Sequence, residues 1–208
     1  MTIAVLTVDQ RSSRTQPDFV PDLVASLNSQ SHADGLLRKF ERTAGDEAQG
    51  VFSRAEAAVD SIFILLRSKG WNLGLGIGEA SEPLPQSTRA GRGTVFIHAR
   101  EAVNRAKSGP HHVNVVGTDP YRAEQVETAL WLWSAILARR TDRGWEVADL
   151  LAQGLSHREA GDELGISQSA VTQRAQAAGI AEEQRVRRLA TQLLAEAMSG
   201  PTGEKVRR

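Results

Sequence analysis

Cysteine is absent from the 208 residues. That removes disulfides, thiolate metal sites and cysteine nucleophiles together, and it fits a reducing cytosol. Net charge is missing as well: 25 Lys+Arg balance 25 Asp+Glu. No overall field draws the molecule to nucleic acid or membrane, so any such binding must come from a local patch. Long apolar runs are also lacking. SIFILL and ALWLWSAILA are the longest, far below the roughly 20 residues that span a bilayer. The start, MTIAVLTVDQ, has neither the basic residues nor the apolar segment of a signal peptide. The expectation is a soluble, cytoplasmic protein without a membrane partner. With 40% hydrophobic residues the chain can bury a core, while its length is compatible with one large domain or two small ones.

What is present alternates between strand-like and helix-like periods. Ile3–Val8 is a β-branched apolar run, consistent with a buried strand. Phe19–Asn28 carries Val20, Leu23, Val24 and Leu27 at helical spacing, with Pro21 tolerated in a first turn. Leu36–Thr43 and Ala48–Phe52 read as the two arms of a hairpin, and Ala55–Leu66 as a helix. WNLGLGIGEA (71–80) alternates like a strand that its interior glycines weaken. A loop with Pro83 and Pro85 precedes a helix at Thr94–Ala106, and HHVNVVG (111–117) reads as a last strand. The order β-α-β-β-α-β followed by α-β is that of a split βαβ, ferredoxin-like domain with one added unit. The predicted fold class is therefore α+β over residues 1–118.

A connecting helix follows, about Tyr121 to Arg140 within residues 119–142. Val126, Ala129, Leu130, Trp133 and Leu137 make one apolar stripe, and Trp131 and Leu132 widen it, as expected of a helix joining two domains. The domain boundary is expected near Thr141–Gly144, an all-α domain over 143–198, and a disordered tail over 199–208.

Within that second domain stands SHREAGDELGISQSAVTQRAQAAG (156–179). Ser156 and Glu159 have capping-box spacing. Gly165 suits a left-handed helix end, and Ser167 caps a second helix whose Val171 and Ala175 pack back on the first. Small residues at 160 and 161 allow the close crossing that a helix-turn-helix needs. The pattern resembles the helix-turn-helix of many bacterial regulators, which implies that the second helix enters the major groove of double-stranded DNA. Ser167, Gln168, Ser169, Thr172 and Gln173 would then lie at base edges, with Arg158 and Arg174 toward phosphates. Residues 139–208 hold eleven Lys+Arg against ten Asp+Glu, so the domain is not markedly basic; Lys205, Arg207 and Arg208 add charge only at the tail. The last helix, about Ala181–Met198, has Val186, Leu189, Ala190, Leu193, Leu194 and Ala197 in one stripe. It either covers the core of its own domain or forms the seam of a homodimer, as palindromic operators favour.

The hairpin tip reads TAGDEAQGVF (43–52). Gly45-Asp46 is by itself an ordinary turn. The right-handed crossover, however, makes the first two strands parallel and returns the third between them. Asp9, at the end of the first strand, then becomes a neighbour of Asp46. Two carboxylates so placed need a cation or a shared proton, and two carboxylates with substrate phosphates are a usual Mg²⁺ environment. Glu47, one residue on, is expected to point the other way.

IAVLTVDQRSSR, AGDEAQGVF, GLGIGEA and GRGTVFIHAREAV together resemble the SatD family over about residues 3–106. More distantly they resemble class III nucleotide cyclases. The latter resemblance implies that Asp9 and Asp46 are the metal-binding pair, that Arg100 matches a conserved-position arginine of the cyclase pattern, and that Arg42 stands where a base-selecting lysine is usual. Phe96 replaces the catalytic asparagine of that pattern and His98 an alanine, so a nucleotide ligand with Mg²⁺ is expected without cyclase turnover. Glu79, Arg89 and Arg92 flank the preceding loop, where the two arginines could meet phosphates. His111 and His112 are expected on opposite faces of a strand, a poor chelate. The combined expectation is a DNA-binding regulator with a degenerate cyclase-like sensor, the alternative being an active cyclase or phosphotransferase regulated through its helix-turn-helix.

Overall fold

The computed structural model describes residues 1–30 and 34–199; the expected tail cations Lys205, Arg207 and Arg208 lie outside the described residues. Among these residues the chain is α+β, with a five-stranded mixed sheet and eight α-helices. Two compact units result: Met1–Trp131 together with the chain from Leu189 onward, and Leu132–Arg188. The division falls inside a helix, after Trp131, and not at Thr141–Gly144, and the end of the last helix groups with the first unit.

The first unit opens with β1 (Thr2–Gln10), α1 (Val20–Gln30), β2 (Leu36–Ala44), β3 (Glu47–Phe52), α2 (Ala55–Ser68), β4 (Trp71–Glu79), α3 (Thr94–Ala106) and β5 (Val113–Gly117). The sheet order is β2-β3-β1-β4-β5. β3 is antiparallel to both β1 and β2, which makes β1 and β2 parallel with β3 between them. β4 runs antiparallel to β1 and parallel to β5.

Alternation along each strand divides the core between two faces. Leu6, Val8, Phe52, Leu73 and Leu75 are buried on one. There Asn28 of α1 exchanges two hydrogen bonds with the backbone of Phe40, and the Phe40 ring meets Phe52 edge-on at 5.8 Å. On the other face Ile3, Val5 and Val51 pack with Val95 and Ala99 of α3. The glycines of β4, read as a weakness, are instead what admits α3. A Cβ at Gly74 would lie 2.1 Å from the Val103 nitrogen, and one at Gly76 would lie 2.3 Å from that of Ala99. With no side chain between them, helix and strand backbones touch, and the strand runs its full nine residues.

α4 (Pro120–Ala138) and α8 (Ile180–Met198) each continue from one unit into the other. On α4 the expected stripe Val126, Ala129, Leu130, Trp133 and Leu137 is buried. Trp131 is half-buried and donates from Nε1 to the Val113 carbonyl at 2.8 Å, whereas Leu132 is 55% exposed and does not widen the stripe. On α8 the buried line is Val186, Ala190, Leu194 and Met198, and Leu189 is 45% exposed.

The second unit contains α5 (Asp142–Ala152), α6 (His157–Leu164) and α7 (Gln168–Ala177). Its core is Val147, Ala160, Val171 and Ala175, with Leu150, Leu151, Leu164, Ile166 and Ile180 around them. Ser156 and Glu159 close a reciprocal capping box, and Gly165 ends α6 at φ 64°, a left-handed conformation that costs glycine nothing. Gly161 is required sterically: a Cβ there would stand 2.8 Å from the Ile166 carbonyl oxygen. Arg140 ties the unit together. It donates to the Ala178 carbonyl at 3.0 Å, pairs with Glu183 at 2.6 Å and lies 4.3 Å over the Trp145 ring.

Candidate functional site

The end of β1 and the β2–β3 tip do meet. The Gln10 amide donates to the Asp46 carbonyl at 3.0 Å, and Asp9 and Asp46 line one open concavity of about 490 Å³. Its remaining walls are the loop Gln10–Thr15, Asn72 and Lys107. Asp46 accepts from Ser13 Oγ at 2.5 Å. Asp9 is only 5% exposed, and both its oxygens are engaged: Asn72 Nδ2 donates to Oδ2 at 2.9 Å, and Lys107 Nζ sits 2.8 Å from Oδ1.

Lys107 arrives there by a matching of repeats. Two residues of strand advance about 6.6 Å and four of helix about 6 Å. Val95, Ala99 and Val103 therefore fall over Gly78, Gly76 and Gly74 in turn. The next step of the same ladder sets Lys107, the residue that ends α3, over Asn72, which is the β4 partner of Asp9.

Glu47 is the principal correction. It was expected to point away from Asp9, but it begins β3 directly opposite Asp9 in the β1–β3 register, and directly opposed residues share a face. Glu47 is 7% exposed. Its Oε1 accepts from Arg100 Nη1 at 2.7 Å, and among the described residues its Oε2 is buried without a hydrogen-bond partner. Burial pushes this carboxyl above the usual glutamate range; Arg100 and Lys107 oppose the shift, while Asp9 and Asp46 add to it. Arg100 thus joins the carboxylates through Glu47.

Arg42 does not join them. It is the partner of Ala48, one residue out of step with Glu47, and so faces the α1 side. There it pairs with Asp18 at 2.5 Å. The Arg42 hydrogen bond draws the Asp18 carboxyl below its ordinary value.

Phe96 packs with Leu37 and Leu84 onto the α3-side core. Its ring fills the space a Cβ of Gly91 would need, with Cζ 2.1 Å from that position. His98 Nδ1 lies 2.8 Å from the Ile77 carbonyl. The loop before α3 is tied to β2: Arg38 donates to the carbonyls of Leu84 and Pro85, and Glu41 accepts from Ser87, Thr88 and the Arg89 amide. Burial would raise the Glu41 carboxyl, but these hydrogen bonds outweigh it and lower it. Glu79 and Arg92 are exposed. His111 and His112 are not in a strand; both have φ 56° in the 3₁₀ turn Pro110–His112. His112 Nδ1 lies 3.1 Å from Asn72 Oδ1, and burial, with the charge of Arg11, lowers its pKa.

A hard divalent cation fits the chemistry of this corner in part. Asp9 and Asp46 present carboxylates to one concavity, and Glu47 Oε2 is an orphaned buried acceptor beside them. Among the described residues no three His, Cys, Asp or Glu side chains converge as a ready set, so phosphate oxygens of a ligand would complete the shell, as is common for Mg²⁺. Arg11 and Arg14 line the same concavity.

In the second unit Gln168, Ser169, Gln173 and Arg158 are exposed. Ser167 is used as the α7 cap: its Oγ accepts from the Ala170 amide and lies 2.9 Å from Ser169 Oγ. Thr172 is half-buried, donating to the Gln168 carbonyl at 3.0 Å with His157 Nδ1 3.0 Å from its hydroxyl. Arg174 leans toward Glu146 of α5 at 4.0 Å. No family model, curated protein or solved structure matches the chain. Among the described residues no helix is long and apolar enough to cross a membrane.

Proposed function

We propose that the chain is a homodimeric, DNA-binding transcriptional regulator. In this reading α6 and α7 form a helix-turn-helix, with α7 entering the major groove. The first unit is a ferredoxin-like, cyclase-related sensor that binds a nucleotide with Mg²⁺ and does not turn it over. The observation that carries the reading is the two-sidedness of α7. Val171 and Ala175 are buried in the core, whereas Gln168, Ser169 and Gln173 are exposed and uncharged. Amide and hydroxyl side chains are the base-reading groups of a groove-bound helix. The close α6–α7 crossing that such a helix needs is permitted by Gly161.

Support for the sensor is the shared concavity of Asp9 and Asp46, walled by Arg11 and Arg14. Were the cation bound, it would screen ligand phosphates. Asp9 and Asp46 would hold it, and the two arginines would neutralise the phosphate charge. Phe96 offers no donor where a cyclase needs one. Coupling between sensing and DNA binding would run along α4 and α8, each continuous through the division between units, provided the ligand favours one arrangement over another.

Binding of the chain's own promoter fragment tests the DNA half. Gln173→Ala is expected to weaken it by about 1–3 kcal/mol. Unchanged affinity in both Gln173→Ala and Arg174→Ala would sink it. The same pocket also favours one rival, an active cyclase or phosphotransferase. Incubation with ATP or GTP and Mg²⁺ decides this: product that disappears in Asp46→Ala would establish the enzyme.

A further inference from the structure

We infer that Lys107 is a built-in counter-ion that occupies the cation position of the Asp9 carboxylate and must be displaced when a divalent cation binds. The inference rests on the proposed role of Asp9 and Asp46 and adds its regulation.

Three observations carry it. First, Asp9 has no idle oxygen, since Oδ2 accepts from Asn72 at 2.9 Å and Oδ1 faces Lys107 Nζ at 2.8 Å. A metal ion approaching Oδ1 meets the like charge of the ammonium on the occupied side of that oxygen. Second, the cation that touches Asp9 in the structure is Lys107. Asp9 and Asp46 share the concavity, Glu47 stands opposite Asp9 in the sheet, Arg100 takes one oxygen of Glu47, and among the described residues Glu47 Oε2 is buried and unpartnered. A buried carboxylate with other carboxylates beside it is stabilised by a cation, and among the described residues Lys107 is the one paired with Asp9. Third, the lysine can leave. Its side chain is 44% exposed, and it stands at the open end of α3 on a flexible four-carbon stem. Asp9 itself is fixed by the sheet and by Asn72. A half-exposed ammonium on a buried, sheet-held carboxylate is placed to compete with a metal and not to brace the fold.

Arg11 and Arg14 line the same concavity and provide a control for charge alone. Removing either would raise metal affinity by general electrostatics; removing Lys107 would also remove a competitor from the ligand oxygen.

The test is a Mn²⁺ titration of the full chain by calorimetry, comparing wild type with Lys107→Met, Lys107→Arg, Arg14→Met and Asp46→Ala. Melting curves confirm that each variant is folded. An ion pair of one buried and one half-exposed partner lies between the surface and buried limits, so Lys107→Met is expected to tighten Mn²⁺ binding about tenfold. Arg14→Met should change it less than about threefold, and Lys107→Arg should stay near wild type. A second readout follows the lysine: saturating Mn²⁺ should increase acylation of Lys107, read by peptide mass spectrometry. Equal Mn²⁺ affinity in wild type and Lys107→Met, with binding lost in Asp46→Ala, overturns the counter-ion and leaves the carboxylate site standing. No Mn²⁺ binding in any variant, Lys107→Met included, with ATP present or absent, overturns both.

Discussion

Replacing Arg140 by Met is expected to unfold most of the second unit. The Arg140 side chain is 1% exposed. It satisfies a carbonyl at the end of α7, neutralises Glu183 of α8 and stacks on Trp145 of α5. Methionine fills much of the volume but leaves Glu183 as a buried charge without its partner. Removing one member of a buried pair costs about 3–5 kcal/mol, and the Trp145 contact adds about 1 kcal/mol. The unit spans Leu132–Arg188, a length for which marginal stability amounts to about 3–9 kcal/mol. The loss is thus comparable with the whole. Replacing both Arg140 and Glu183 by Met removes the uncompensated charge, and exchanging a buried pair for apolar groups is often neutral or stabilising by about 1–4 kcal/mol. Urea melts of the full chain followed by circular dichroism provide the assay. Arg140→Met should lose a cooperative transition, and the double variant should recover it. A single variant within about 1 kcal/mol of wild type, or a double variant no better than the single, would refute the reasoning.

Three further outcomes follow from the site geometry. Burial raises the Glu47 carboxyl in the folded chain, so the folded state holds its proton longer than the unfolded state. That contribution is complete below the ordinary glutamate range and is lost as pH rises through the raised value. The melting temperature of Glu47→Gln minus that of wild type should therefore grow from about pH 4 upward; a constant difference would contradict it. Gly76→Ala sets a methyl 2.3 Å from the Ala99 nitrogen. It should lower the melting temperature by about 2–12 °C, since backbone overpacking costs about 1–3 kcal/mol, and a neutral result would mean that α3 does not lie on β4. If Arg158 meets a phosphate, Arg158→Ala should weaken binding alike for all DNA sequences and reduce the salt slope by about one. A sequence-dependent loss would move Arg158 to a base edge.

The meeting of Asp9 and Asp46 was legible because it depends only on crossover handedness and on β3 lying between β1 and β2. The capping box at Ser156 and the glycine turn at Gly165 were legible because they are local. Glu47 was misassigned because strand alternation was counted from Asp46, which belongs to the turn. Counted from the register, Glu47 faces Asp9, whereas Arg42, placed at the site by the resemblance alone, faces away. Lys107 and Asn72 were missed for another reason: their places follow from stacking α3 on β4 through Gly74, Gly76 and Gly78. That glycine ladder is written in GLGIG, but it signals a close helix only once those residues are taken as a surface, not as weak strand formers. His111 and His112 were read as strand because a turn with two positive-φ residues has no signature in two histidines. The division of the chain after Trp131 is set by tertiary packing, to which the composition change at Thr141–Gly144 gives no access.

The most direct test of the account is the affinity of the full chain for its own promoter DNA, measured by fluorescence anisotropy with and without a nucleotide and Mg²⁺. A change of about fivefold or more is expected for at least one of ATP and GTP, absent in Asp46→Ala. Promoter affinity that neither nucleotide alters, or that changes equally in Asp46→Ala, would contradict it.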